Sequence, residues 1–175
     1  MITLRRAHEH TAMPWANGRG VSYEVARVND ESGQWLWRVA IAPIVEDGPF
    51  SVMSGVHREL TLLDGEGLVL TIDGNMVACR KGLVVEFSGD AHTHASLMAG
   101  AVVDLNVMSR VGSEKSMTVL NAPCKVEQID CLVVLGESVV RLEGKEERLS
   151  VKDALVGEGD VELLAGSVAV ISPRR

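Results

Sequence analysis

Short runs of Val, Leu and Ile, broken by single polar residues, recur along this chain from Val21 almost to its end. Segments 21–28 (VSYEVARV), 34–41, 57–63, 67–72, 82–87, 101–108, 131–135, 138–142 and 167–171 each predict a strand. The reason is geometric: side chains alternate across an extended backbone, so a period of two gives one apolar face. Asp73-Gly74-Asn75 and Glu143-Gly144-Lys145 mark turns between these runs. Only 112–118 and 150–157 read as short helical turns. Many short strands joined by Gly-centred turns predict an all-β sandwich or barrel, architectures that manage their sheet edges by closure or double layering.

The pattern also repeats. DGEGLVLTIDGN at 64–75 resembles LGESVVRLEGKE at 135–146, and LMAGAVVDLNV at 97–107 resembles LLAGSVAVISP at 163–173, in the same order. Two small β-barrel halves are therefore expected, at 1–112 and 113–175, with the seam where RVGSEKSMTVLNAPCK interrupts the strand pattern.

Two polar positions break the apolar faces. Within 34–41, Arg38 shares a face with Leu36 and Ala40; within 57–63, Arg58 shares one with Leu60 and Leu62. An unpaired guanidinium on such a face is expensive, so each needs an anionic partner. Glu24 or Asp104 can supply an internal carboxylate; alternatively the arginines face a barrel interior and grip a ligand carboxylate through their planar fork.

Composition narrows the chemistry. A formal charge of −7 does not suit a phosphate backbone, so no nucleic-acid partner is expected. No apolar run approaches membrane-spanning length and MITLRRAHEH has no secretory apolar core, which predicts a cytoplasmic protein with no membrane partner. The three cysteines, Cys79, Cys124 and Cys131, lack CxxC spacing and read as reduced thiols. His92 and His94 form an HxH pair in a stretch that reads as a turn, and His57 lies near Glu59. With no third histidine close to the pair, no metal and no cofactor are expected. GxSxG is absent, so no nucleophile motif stands out. The Gly-rich stretch Asn17-Gly18-Arg19-Gly20 leads into a strand rather than a helix, which argues against a phosphate cradle.

Trp15, Asn17-Gly18 and Gly20, followed by Glu24, Trp37-Arg38, Asp47-Gly48-Pro49-Phe50-Ser51, Gly55-Val56, Arg58, Leu62-Leu63 with Gly65-Glu66-Gly67, and Asp104-Leu105-Asn106-Val107-Met108, together resemble the HutD/Ves family. The resemblance is densest from 13 to 110. It implies a bicupin, two cupin or jelly-roll-like barrels packed together, in a protein associated with histidine utilisation and without established catalysis. It also implies a small anionic carboxylate ligand, such as N-formylglutamate or urocanate, bound by a regulator or metabolite buffer. On that resemblance Trp15, Asn17, Gly18, Glu24, Arg38, Arg58 and Asn106 become the candidate ligand-binding residues, with no catalytic residue assigned and a homodimer the expected assembly. The alternative is a cupin enzyme, metal-dependent or acid/base, acting on a small organic acid. Arg19 stands where the family usually has a further glycine, and relatives commonly lack the HTH pair.

Overall fold

The computed structural model describes residues 1–15 and 18–174. The chain divides into two units, one of Thr11–Glu114 and the other of Met1–His10 with Lys115–Arg175. The first ten residues, expected in the first half, thus belong with the second. Strand β1 (Thr3–Arg5) pairs antiparallel with residues 154–156, and a single 3-10 turn follows at Ala7–Glu9.

Among the described residues, the Thr11–Glu114 unit contains ten strands: β2 (Thr11–Pro14), β3 (Val21–Asn29), β4 (Trp35–Ile44), β5 (Gly48–Pro49), β6 (Val56–Asp64), β7 (Leu68–Ile72), β8 (Asn75–Cys79), β9 (Val85–Ser88), β10 (Thr93–Leu97) and β11 (Val102–Arg110). They form a six-stranded sheet in the order β2-β3-β4-β11-β6-β9 and a four-stranded sheet in the order β5-β10-β7-β8. Leu60, Leu62, Val85 and Phe87 of the first sheet pack against Leu68, Leu70 and Ala95 of the second, closing one core between two layers. The even positions of β6 and β11 face this interior, since Leu60 and Leu62 alternate with Glu59 and Thr61 along β6.

The other unit adds β12 (Lys115–Asn121), β13 (Cys124–Leu142), β14 (Lys145–Leu149) and β15 (Ala154–Pro173). Residues 131–133 of β13 pair both with 154–156 and with 169–171, so the two ends of β15 flank the middle of β13 and the sheet curls round. Its hydrophobic core is aliphatic, with Ile129, Leu132, Leu149, Leu155, Leu163 and Val168 fully buried or nearly so.

Both sequence echoes occupy matching geometry. The β7–β8 hairpin turns at Asp73 (φ 46°) and Gly74 (φ 86°), and the β13–β14 hairpin at Glu143 (φ 49°) and Gly144 (φ 79°). Two successive positive φ values match the right-handed twist of the flanking strands, and glycine adopts the second without steric cost.

Several local expectations are corrected. Residues 112–118 are not helical: Lys115 begins β12, where buried Met117 is followed by exposed Thr118. Nor are residues 150–157 helical. Ser150 and Asp153 close a tight turn, with Asp153 N–H donating to Ser150 O at 2.9 Å and Ser150 N–H to the Asp153 carboxylate at 3.0 Å; β15 then begins at Ala154. The runs 131–135 and 138–142 belong to one strand, with a register irregularity at Gly136 in place of a turn. Thr93 and His94 belong to β10, so the HTH pair enters a strand.

Candidate functional site

Cross-strand register assembles the polar residues of the Thr11–Glu114 interior into rows. Arg38 of β4, Met108 of β11, Arg58 of β6 and Phe87 of β9 lie side by side; the next row holds Glu24, Ala40, Asn106, Leu60 and Val85, and the one beyond it Ala42, Asp104 and Leu62. Successive rows on one face are ~7 Å apart. A bulge in β3 between Glu24 and Ala26 brings Arg27 opposite Arg38, and the Arg27 guanidinium lies 3.9 Å from the Glu24 carboxylate.

The arginine row lies at an aromatic end of the barrel. The Arg58 guanidinium carbon is 5.0 Å from the ring centres of both Phe50 and Phe87, which themselves pack at 6.3 Å in a tilted pair, so one cation faces two adjoining rings. Its Nη1 donates to Ser51 O at 3.3 Å. Trp35 receives Arg38 at 5.1 Å and Arg110 at 4.3 Å, and Arg110 Nε donates to Trp35 O. The strap carrying Phe50, Ser51 and Met53 is tied down where Phe50 N–H donates to Thr93 O at 2.8 Å and Met53 N–H to Gly89 O at 2.7 Å. Met53 packs on Ala40 and Met108. Arg58, beneath the strap, is only 7% exposed; Asn106, one row further along, is 6% exposed and Asp104, two rows along, 2%.

These groups are incompletely satisfied. Arg58 Nε, Arg38 Nε, Glu24 Oε2, Asp104 Oδ1 and Asn106 Oδ1 are buried without a hydrogen-bond partner. An unsatisfied buried donor or acceptor costs about 1–3 kcal/mol, more when charged, so five in one interior need a reason. Burial pushes the Asp104 carboxyl up to about 7, opposed by the Arg58 charge and by hydrogen bonds from the Asn106 side chain and the Ala42 amide. Burial likewise brings Arg58 down to about 10, with Asp104 opposing and Arg38 adding to the shift. Arg38 is lowered by burial, with Glu24 opposing and Arg27 and Arg110 reinforcing. At neutral pH both guanidinium groups remain cations.

Of the residues expected to bind ligand, Glu24, Arg38, Arg58 and Asn106 thus share one interior. Trp15 and Gly18 do not join them. Their loop connects β2 and β3 at the opposite end of the sheet, where Val21 precedes Tyr23, the partner of Ile41. About five residues of strand, roughly 17 Å, separate that level from Arg38. There the Trp15 indole N–H donates to Ser22 Oγ at 2.7 Å, Trp15 N–H donates to Gly20 O, and Gly18 is exposed. Gly20 is required by close approach, since a Cβ there would meet the Trp15 ring at 2.8 Å. Asn17 lies outside the described residues. Two site residues escaped the sequence reading: Asp104, which the alternation offers only as an internal partner, and Arg110, which shares the even positions of β11 and was legible by alternation. Phe50 and Phe87 carried no sequence signal of contact with Arg58.

On the opposite face of β6 and β9, His57 Nε2 lies 3.1 Å from Glu59 Oε1 and 3.9 Å from Glu86 Oε1. These three are the one group among the described residues whose donor atoms lie close enough to share a metal ion. His57 and Glu86 border an open cleft of about 480 Å³. His92 and His94 are exposed and border another of about 640 Å³ with Phe50 and Asp73. Burial pushes the Cys79 and Cys131 thiols up to about 12, which leaves both protonated and unreactive at neutral pH. No helix among the described residues is long and apolar enough to cross a membrane.

Curled antiparallel sheets of this kind define a cupin-like β protein. The solved structures agree: the E. coli protein Ylba superposes with a TM-score of 0.72 at 12% identity, over 99% of this chain and 90% of that one. The chain belongs to the HutD family, whose model matches residues 7–171. It is 32% identical to an uncharacterized 21.2 kDa protein in the hutC 3′ region of Pseudomonas putida, over 93% of this chain and 90% of that protein. It is 33% identical to protein Ves of Citrobacter koseri over 55% of this chain and 51% of that protein. HutD from Pseudomonas fluorescens SBW25 superposes over the full length of both chains with a TM-score of 0.84 at 24% identity.

Proposed function

We propose that the Thr11–Glu114 unit binds a small carboxylate of histidine utilisation, N-formylglutamate-like or urocanate-like, in a cytoplasmic regulator or metabolite buffer that does not transform its ligand. The observation that carries this reading is the set of unpartnered donors on Arg58 and Arg38 inside a barrel that keeps both as cations. A carboxylate satisfies such donors through charge-assisted bonds, and Asn106 and Glu24 offer acceptors for a second polar group on the ligand. The strap at Phe50–Met53 covers Arg58, so a ligand enters when the strap lifts. Family membership and the hutC-region relative support the metabolic setting.

A thermal-shift screen of the full chain against N-formyl-L-glutamate, urocanate and glutamate tests the reading. A ligand at 100 times its Kd raises stability by about 2.7 kcal/mol. A selective rise for one of these acids is expected; no rise with any of them at millimolar concentration contradicts the proposal. The His57, Glu59 and Glu86 group favours a second reading, a metal-dependent enzyme working on the outer face of the same sheet. Elemental analysis decides between them, because near-stoichiometric Mn, Fe, Ni or Zn that is lost in His57→Ala supports the enzyme.

A further inference from the structure

We propose that Asp104 is itself a ligand-binding residue, acting as a carboxylic acid: above neutral pH the barrel takes up one proton from solvent with each carboxylate it binds, and that proton resides on Asp104 Oδ1. The inference rests on the carboxylate-binding reading above and names how the same site selects and regulates its ligand.

The warrant is the burial of Asp104 and the cation that acts on it. The interior rows hold Arg38 and Arg58 with two carboxylates, Glu24 and Asp104, and Arg27 and Arg110 lie close to Arg38. Glu24 has Arg27 and Arg38 beside it, whereas the cation acting on Asp104 is Arg58. Asp104 Oδ1 is buried and accepts no hydrogen bond, so it is available to carry a proton and donate. The remaining groups packed around Asp104 do not replace Arg58. Asn106 lies on its own strand, β4 and β6 place Ala42 and Leu62 beside Asp104, and β8 contributes the protonated Cys79. A ligand carboxylate engaging Arg58 therefore takes the cation that acts on Asp104 and adds a negative charge beside it, which favours the protonated acid. Protonation turns the unpartnered Oδ1 into a donor for another oxygen of the ligand. A burial-driven carboxyl pKa of about 7 in the free protein makes this proton available near physiological pH.

The test is isothermal titration of N-formyl-L-glutamate into the full chain at pH 8, in buffers of contrasting ionisation enthalpy, which counts protons exchanged per ligand bound. At pH 8 the expected uptake is close to one proton, with affinity falling about tenfold for each further pH unit. Asp104→Asn, a neutral isostere, should bind with no proton uptake and about tenfold more tightly than wild type at pH 8, because only about a tenth of wild-type Asp104 is protonated there. Binding by wild type without proton uptake, or uptake that persists in Asp104→Asn, overturns the inference while leaving the carboxylate reading intact. Absence of any binding from pH 6 to 8, with thermal shift giving the same answer, overturns both.

Discussion

At the scale of single residues, Arg58 and Asp104 decide the chemistry of the interior. Arg58 lies against the adjoining Phe50 and Phe87 rings and donates to Ser51 O, so its charge is held by aromatic rings and by Asp104 at longer range. A charge-assisted bond to a ligand is worth about 1.5–3 kcal/mol, so Arg58→Ala should weaken carboxylate binding roughly 10- to 150-fold in a calorimetric titration. Arg58→Lys retains the charge without the planar fork and should recover part of that loss. Asp104 makes a separate prediction without ligand. Its carboxyl holds a proton up to about pH 7 in the folded protein and releases it near 3.8 in the unfolded chain. Between those values the native state binds more protons, so rising pH favours unfolding until the effect levels off above 7. Melting curves of Asp104→Asn and wild type should therefore diverge in favour of the variant from pH 5 to pH 8; parallel profiles would show that Asp104 is ionised throughout. Arg38 and Arg58 were legible in the sequence because a cation on an otherwise apolar alternating face is conspicuous. Which carboxylate faces which arginine was not legible, because it depends on the pairing of β3, β4, β11 and β6, set by long-range register and the β3 bulge.

At the scale of elements, the strands were legible wherever alternation was clean, as in Trp35–Ile44, Val56–Asp64 and Val102–Arg110. They were missed where a tight turn imitated the start of a helix, at Ser150–Asp153, and where polar side chains masked one face, as in Thr93–Leu97 with its exposed His94. At the paired turns, Gly74 and Gly144 have open space where a Cβ would stand, so Gly→Ala at either costs backbone conformation alone. Each should lower stability by about 1–2 kcal/mol in a denaturant titration. Gly20→Ala differs, since its Cβ collides with the Trp15 ring. It should lower the melting temperature by disturbing the β2–β3 loop while leaving the contribution of Arg58 to carboxylate affinity unchanged, because the arginine row lies at the other end of the sheet, whereas Asp104, opposite Ala42, lies nearer that loop. A matching loss of affinity in Gly20→Ala would instead draw Trp15 and Gly18 into the site.

At the scale of the whole molecule, two units carrying the same hairpin echo have opposite interiors. One is filled by Ile129, Leu132, Leu155 and Leu163; the other reserves its core for Arg58, Asp104 and Asn106 beside Leu60 and Leu62. Stability alone does not explain the second choice, since hydrophobic residues of similar volume commonly match or exceed a buried ion pair. The sequence showed the repetition but not this division of labour, because β13 and β15 read as aliphatic runs whose inward and outward faces look alike, and residues 1–10 revealed nothing of their pairing with residues 154–156. If the polar interior holds a carboxylate, a crystal structure of the full chain grown with N-formyl-L-glutamate will show it there. The expected result is a carboxylate beneath the Phe50–Met53 strap at hydrogen-bond distance from Arg58 Nε, with another oxygen of the acid directed toward Asp104 Oδ1. A saturated crystal whose interior holds only water or side chains, with the acid bound at a surface cleft or nowhere, would contradict it.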